Sequence, residues 1–163
     1  MPELEIRNRH RLKQKEVKKL VEDLKLRLGR DSIPLDSIVD RASASEYDLF
    51  FVDNQILAFE INGIPFLTLK GILKWQPERM FVEVDEGAVK FVANGADVMG
   101  PGIVSFDNSI KKGDVVFVRD AKHKRPLAVG LALKDASELA KKEKGKCVKN
   151  IHWLGDKLWN YEG

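Results

Sequence analysis

Four short apolar runs follow one another between residues 37 and 69: SIVDRA, YDLFFVD, QILAFEI and IPFLTL. Two of the joints between them are the pairs Asp53-Asn54 and Asn62-Gly63. Asn-Gly between apolar runs is a strong hairpin signal, because both central residues of a type I′ turn need positive φ, and Asn and Gly adopt it at least cost. Tight reversals force successive strands to pair antiparallel. Residues 37–69 are therefore expected to form an antiparallel meander.

The elements around this meander follow from local pattern. IRNRHRL reads as a short strand. KQKEVKKLVEDLKLRLG places Val17, Leu20, Val21, Leu24 and Leu28 at helical spacing, with a basic opposite face. Gly29 supplies its stop, and Lys25 and Arg27 sit in the last turn, where cations suit the helix dipole. GILKWQPERM reads as a helical turn that Pro77 breaks. We place a domain boundary there, giving residues 1–78 and 79–163.

The second part opens with FVEV as a strand. DEGAVKFVANG is expected as a short helix: Asp85 accepts from first-turn amides, Ala88, Val89, Phe91 and Val92 form a buried stripe, and Gly95 ends it. ADVM and IVSF read as extended structure around Gly100-Pro101-Gly102. DNSIKKGD is a turn with Gly113 at its tip. DVVFVRD and LAVGLAL read as strands joined by the basic loop AKHKRP. DASELAKKEKG is a brief helix, and CVKNIHWLGDKLW a strand with a short terminal element. Five or six short strands with glycine-rich joints predict a small, strongly bent barrel. The fold class is α+β: a helix on an antiparallel sheet, then the barrel.

Composition narrows the function. A length of 163 residues fits one ordinary domain or two small ones, and 44% hydrophobic residues suffice for a core. No run approaches the ~18 apolar residues of a membrane span. MPELEIRNRHR has no apolar segment behind its charges, so no secretory signal is expected and a cytoplasmic location is. Charged residues at 33%, with one cysteine, fit either a heat-adapted source or simply a well-solvated surface. Charge is segregated: residues 7–30 carry ten Lys/Arg against three acids, residues 31–110 five against thirteen, and residues 111–149 twelve against five. Two basic zones of this kind suit an anionic polymer such as nucleic acid, although they also serve as solvated faces.

Catalytic readings fail on spacing. Gly95 and Gly100 have P-loop spacing, but Pro101 and Gly102 stand where lysine and a hydroxyl belong. A dinucleotide fingerprint needs strand, glycines, then helix, whereas this chain runs helix, glycines, then strand. His10, His123 and His152 lie far apart without metal-ligand spacing. His123 falls in a solvated loop, and His152, between Ile151 and Trp153, is expected half-buried. Cys147 lies among lysines that would lower its pKa, yet it has no partner base and reads as structural. No enzyme activity, cofactor or metal is expected.

DEGAVKFVANGADVMGPGI, KKGDVVFVRD, PLAVGLAL and NIHWLGDKLW, in this order, resemble a PUA domain, the module named for pseudouridine synthases and archaeosine transglycosylases. The similarity covers roughly Arg79 to Tyr161. The length and N-terminal extension further resemble archaeal relatives of the malignant T-cell-amplified sequence protein and of ligatin, in which a smaller domain precedes the PUA. Gly100 departs from the larger residue those eukaryotic relatives carry. The resemblance implies a six-stranded pseudobarrel that holds RNA with its first helix, the following glycine loop and its last strand. Carried over by position, the helix and loop supply Lys90, Asn94, Gly95, Ala96, Met99, Pro101 and Gly102, and the last strand Lys149, His152 and Trp153.

The residue chemistry agrees with that assignment. Glycines let a phosphodiester approach backbone amides, Lys90 would meet phosphate, and exposed aromatics would stack unpaired bases. Met99 and Trp153 also read as core, and Gly102 as a bulge; Trp75 and Trp159 read as packing residues. The expected partner is RNA, either a tRNA acceptor end or small-subunit ribosomal RNA, bound by a monomer away from any membrane. The N-terminal domain is expected to dock the small ribosomal subunit or a translation factor. The alternatives are an accessory subunit of an RNA-modification enzyme and a protein-docking module with incidental RNA affinity.

Overall fold

The computed structural model describes residues 3–162. The chain divides into two compact units, Met1–Arg79 and Met80–Gly163.

The first unit contains β1 (Arg7–Arg11), α1 (Gln14–Leu28), β2 (Val39–Ser43), β3 (Asp48–Val52), β4 (Gln55–Ile61), β5 (Ile64–Leu67) and α2 (Leu69–Trp75). Each strand pairs antiparallel with its sequence neighbour, in the order β1-β2-β3-β4-β5. The meander turns as its sequence requires: φ is +47° and +72° at Asp53 and Asn54, and +52° and +78° at Asn62 and Gly63. Both reversals therefore have the paired positive φ of the type I′ turn. Helix α1 buries Val17, Leu20, Leu24 and Leu28, while Val21 is half-buried. The Gly29 amide closes the helix on the Lys25 carbonyl at 2.9 Å, with φ +72°.

A charged strut crosses three strands of this sheet. Arg41 on β2 donates to Asp48 on β3 (2.7 Å) and to Glu60 on β4 (2.8 Å), and its guanidinium lies 5.1 Å from the centre of the Phe50 ring. The Glu60 hydrogen bond, with that to Asp48, raises the Arg41 pKa against the opposing effect of burial. The planar fork of arginine suits this bridging geometry.

The second unit contains β6 (Phe81–Val84), α3 (Glu86–Ala93), β7 (Val98–Met99), a 3-10 turn (Gly100–Gly102), β8 (Ile103–Phe106), β9 (Val115–Asp120), β10 (Pro126–Ala132), α4 (Ala136–Leu139) and β11 (Lys146–Trp153). Its six strands run in the order β7-β11-β10-β9-β6-β8, antiparallel except for the parallel β6–β9 pair. The two edge strands, β7 and β8, are consecutive in sequence and joined only by the 3-10 turn. That short joint bends the sheet into a nearly closed pseudobarrel. Val82, Val84, Val98, Val115, Val116, Val118, Val129 and Val148 fill its core. Gly130 is required where β11 runs closest, because a Cβ there would collide with the Lys149 carbonyl.

Helix α3 departs from its expected stripe. Only Val92 is fully buried, Ala88 and Val89 are half-buried, and Phe91 is exposed. The helix touches β9, β10 and β11 with one side only, and the rest of its eight residues stay exposed or half-buried. Trp75 and Trp159, expected as packing residues, are half-buried. Among the described residues, no helix is long and apolar enough to cross a membrane.

Candidate nucleic-acid interface

The end of α3, the loop after it and β11 form one connected surface. Asp85 caps the helix, its Oδ1 accepting from the Ala88 amide at 3.0 Å. At the other end the chain turns back through a Schellman motif. The Ala96 amide donates to the Phe91 carbonyl (3.0 Å) and the Gly95 amide to the Val92 carbonyl (3.1 Å), with φ +102° at Gly95. Glycine is needed here for conformation.

Strand β11 anchors the loop through Asn150. Its side-chain Nδ2 donates to the carbonyls of Val92 and Ala96, both at 3.0 Å, and its backbone amide donates to Asp97 Oδ1 at 2.8 Å. Lys146 adds an ion pair to Asp97 at 3.1 Å. Burial acts to raise the Asp97 pKa, but the Asn150 amide and Lys146 outweigh it and hold the carboxyl below its ordinary value. Asn150 was not among the expected site residues. A lone asparagine in a strand gives no pattern by which to find it.

Above this frame the surface is apolar and lightly basic. Phe91 is 66% exposed and Met99 47% exposed, and Val104 at the start of β8 is also exposed. Ala88 and Phe91, three residues apart, share a helix face. A Cβ at Gly102 would lie 3.2 Å from Ala88, so the 3-10 turn abuts that same face. At the other end Gly95 abuts the indole of Trp153, where a Cβ would lie 2.9 Å from Cε2. Trp153 is half-buried. Lys90, Asn94, Ala96, Pro101 and Lys149 are exposed. The spacing of Phe91 matches a buried stripe, and only the tertiary packing of α3 on β9, β10 and β11 reveals it as exposed.

Three expectations about the site change. His152 is 1% exposed rather than half-buried, and its Nδ1 bonds Asp156 Oδ2 at 2.8 Å, so its ring belongs to the interior and not to the surface. The amides of Gly95, Ala96 and Gly100 are consumed inside the fold, the last by the Gly145 carbonyl at 3.0 Å, so they are not offered to phosphate. Cys147 is buried, and that burial pushes its thiol pKa up, against the lowering that neighbouring lysines imply. A further feature now has a cause: Gly100 is buried against the Glu143 backbone, leaving no room for a side chain.

Asp156 organises the exit from β11. It accepts from the amides of Trp153 (3.0 Å) and Trp159 (2.8 Å) as well as from His152. Burial works to raise its pKa, but the His152 bond and the two amides prevail and lower it. Among the described residues, no group of three His, Cys, Asp or Glu side chains is placed to hold a metal ion.

Comparison with known proteins decides the family. The PUA domain description matches residues 80–154. Over 162 residues the chain is 43% identical to an uncharacterized protein of Methanocaldococcus jannaschii, covering 98% of this chain and 100% of that protein. The chain belongs to the PUA-domain proteins. It is also 33% identical over 119 residues to translation machinery-associated protein 20 of Saccharomyces cerevisiae, covering 69% of this chain and 66% of that one. The crystal structure of a hypothetical protein from the hyperthermophilic archaeon Pyrococcus horikoshii has a TM-score of 0.79 at 34% identity, covering 93% of this chain and 98% of that one. Residues 80–154 of the PUA match lie within the second unit.

Proposed function

We propose that this PUA-domain protein is a non-catalytic, cytoplasmic RNA-binding protein of the translation apparatus, acting as a monomer. Its PUA unit holds a single-stranded RNA end, of the kind presented by a tRNA acceptor or by small-subunit ribosomal RNA. Similarity to a translation machinery-associated protein supports the translation setting. The observation that carries the RNA reading is Phe91, a phenyl ring 66% exposed beside a loop of small residues.

An exposed ring costs nothing to desolvate further and stacks on any base face, worth about 1–3 kcal/mol per base. Gly95, Ala96, Pro101 and Gly102 have little or no side chain to block approach. Lys90 and Lys149 flank the ring and loop, and meet the backbone phosphates as point charges. Met99 extends the apolar floor, and Trp153 supports it from beneath Gly95. RNA readers favour unpaired ends because their bases are free to stack.

The test compares binding of bulk tRNA, intact and stripped of its 3′ single-stranded end, at two salt concentrations. Loss of affinity on stripping supports the acceptor-end reading. Equal affinity with steep salt dependence moves the target to structured RNA such as ribosomal RNA. No binding to any structured RNA removes the function altogether.

A second reading concerns the first unit. Leu26, Leu35, Ile38 and Leu73 are large exposed apolar side chains there. We propose that this unit docks the small ribosomal subunit or a translation factor, and capture of ribosomal subunits by residues-disabled PUA variants of the full chain tests it.

A further inference from the structure

Helix α1 carries a row of cations that the fold does not use. Its buried positions are Val17, Leu20, Leu24 and Leu28, and the opposite face presents Lys15, Lys18, Lys19, Glu22 and Lys25, all exposed. At 1.5 Å per residue the lysines span about 15 Å along the helix. Among the described residues, Lys15, Lys18 and Lys19 have no ion-pair partner, and Lys25 pairs only with Asp31 at 3.3 Å, where both side chains are well exposed. Such surface pairs contribute little and yield readily to a competing anion. Lys15 lies three and four residues from Lys18 and Lys19, a spacing at which like charges repel. Glu22 is the single carboxylate in the row.

We infer that this lysine face of α1 is a second RNA contact, binding backbone phosphates independently of the PUA surface. Lys19 borders a cleft that it shares with Glu16, Asp23, Arg41 and Glu60, whose carboxylates disfavour a small anion there, and no aromatic is exposed among the lysines. Four cations in a row recognise a line of negative charge rather than a base. A membrane surface is disfavoured, because the apolar side of α1 is committed to the first unit's core and a lone Leu26 on the exposed side is too little to insert among lipids. The choice of RNA as occupant rests on the RNA-binding reading above. The role of this unit is thereby made specific: it adds salt-dependent affinity without sequence information.

The experiment uses the full chain carrying Lys15→Gln, Lys18→Gln, Lys19→Gln and Lys25→Gln together, and a milder variant with Lys15→Gln and Lys18→Gln only. Binding of bulk tRNA is followed across a salt series, and thermal unfolding checks that each variant stays folded. The slope of log K against log salt is expected to fall by about 2–4 units in the quadruple variant and by about half that in the double, given ~0.7–0.9 per lost phosphate contact. An unchanged slope, with wild-type binding intact, overturns the inference and spares the PUA reading. Absence of wild-type binding removes both. If the variant keeps its tRNA slope but loses binding to polyglutamate or to phosphatidylserine vesicles, the face takes an acidic protein or a membrane and the inference also falls.

Discussion

Gly95 and Trp153 are in direct apposition: a Cβ on Gly95 would stand 2.9 Å from Cε2 and 3.1 Å from Cζ2 of the indole. The same glycine has φ +102°, which side-chain-bearing residues rarely adopt. Two penalties thus fall on one position. Gly95→Val should lower unfolding free energy by about 1–3 kcal/mol, from backbone strain and the displaced indole. Gly102 has no positive φ, and its nearest neighbour would be a methyl at 3.2 Å, so Gly102→Ala should cost clearly less. Urea denaturation of both variants checks the order.

Phe91→Ala separates binding from folding. An exposed side chain makes few interior contacts, so stability should change by no more than about 0.5 kcal/mol. RNA affinity should drop by about 1–3 kcal/mol if the ring stacks one base, and Phe91→Tyr should restore most of it. Titration of labelled RNA beside a thermal melt reads both quantities.

Asn150→Asp places a carboxylate against the carbonyls of Val92 and Ala96, which now accept from the amide nitrogen. Losing both hydrogen bonds in a partly buried site should destabilise by about 1–3 kcal/mol. Asn150→Ala should lose less, because it adds no buried charge. Hydrogen exchange at Gly95 and Ala96 should speed up in both.

The pH dependence of stability follows from Asp156. Its carboxyl pKa is lower in the folded chain than when unfolded, so its contribution is present above the unfolded value and is lost as pH falls through the folded one. Acid unfolding of the wild type should therefore include a component below about pH 4. Asp156→Asn should be less stable at neutral pH and should show a shallower acid limb in a pH series of denaturation midpoints.

The sequence made the fold legible wherever the determinant was local. Asp53-Asn54 and Asn62-Gly63 dictated two reversals, and the spacing of Val17, Leu20, Leu24 and Leu28 dictated the buried side of α1. The site was less legible because its determinants are nonlocal. Phe91 has the spacing of a core residue, and only the way α3 packs on β9, β10 and β11 leaves it exposed. His152 reads in sequence as half-buried, but it bonds Asp156 and lies fully inside. The glycines of the loop read in sequence as places where an RNA backbone comes close. What approaches two of them is the chain itself: Trp153 at Gly95 and the Glu143 backbone at Gly100.

The most direct measurement of the central claim is a thermodynamic cycle. Wild type and Phe91→Ala are each titrated with bulk tRNA, intact and stripped of its 3′ single-stranded end. If Phe91 stacks a base of that end, stripping costs the wild type about 1–3 kcal/mol more than it costs the variant. Equal losses in both proteins would mean that the ring and the RNA end do not meet, and would contradict the account.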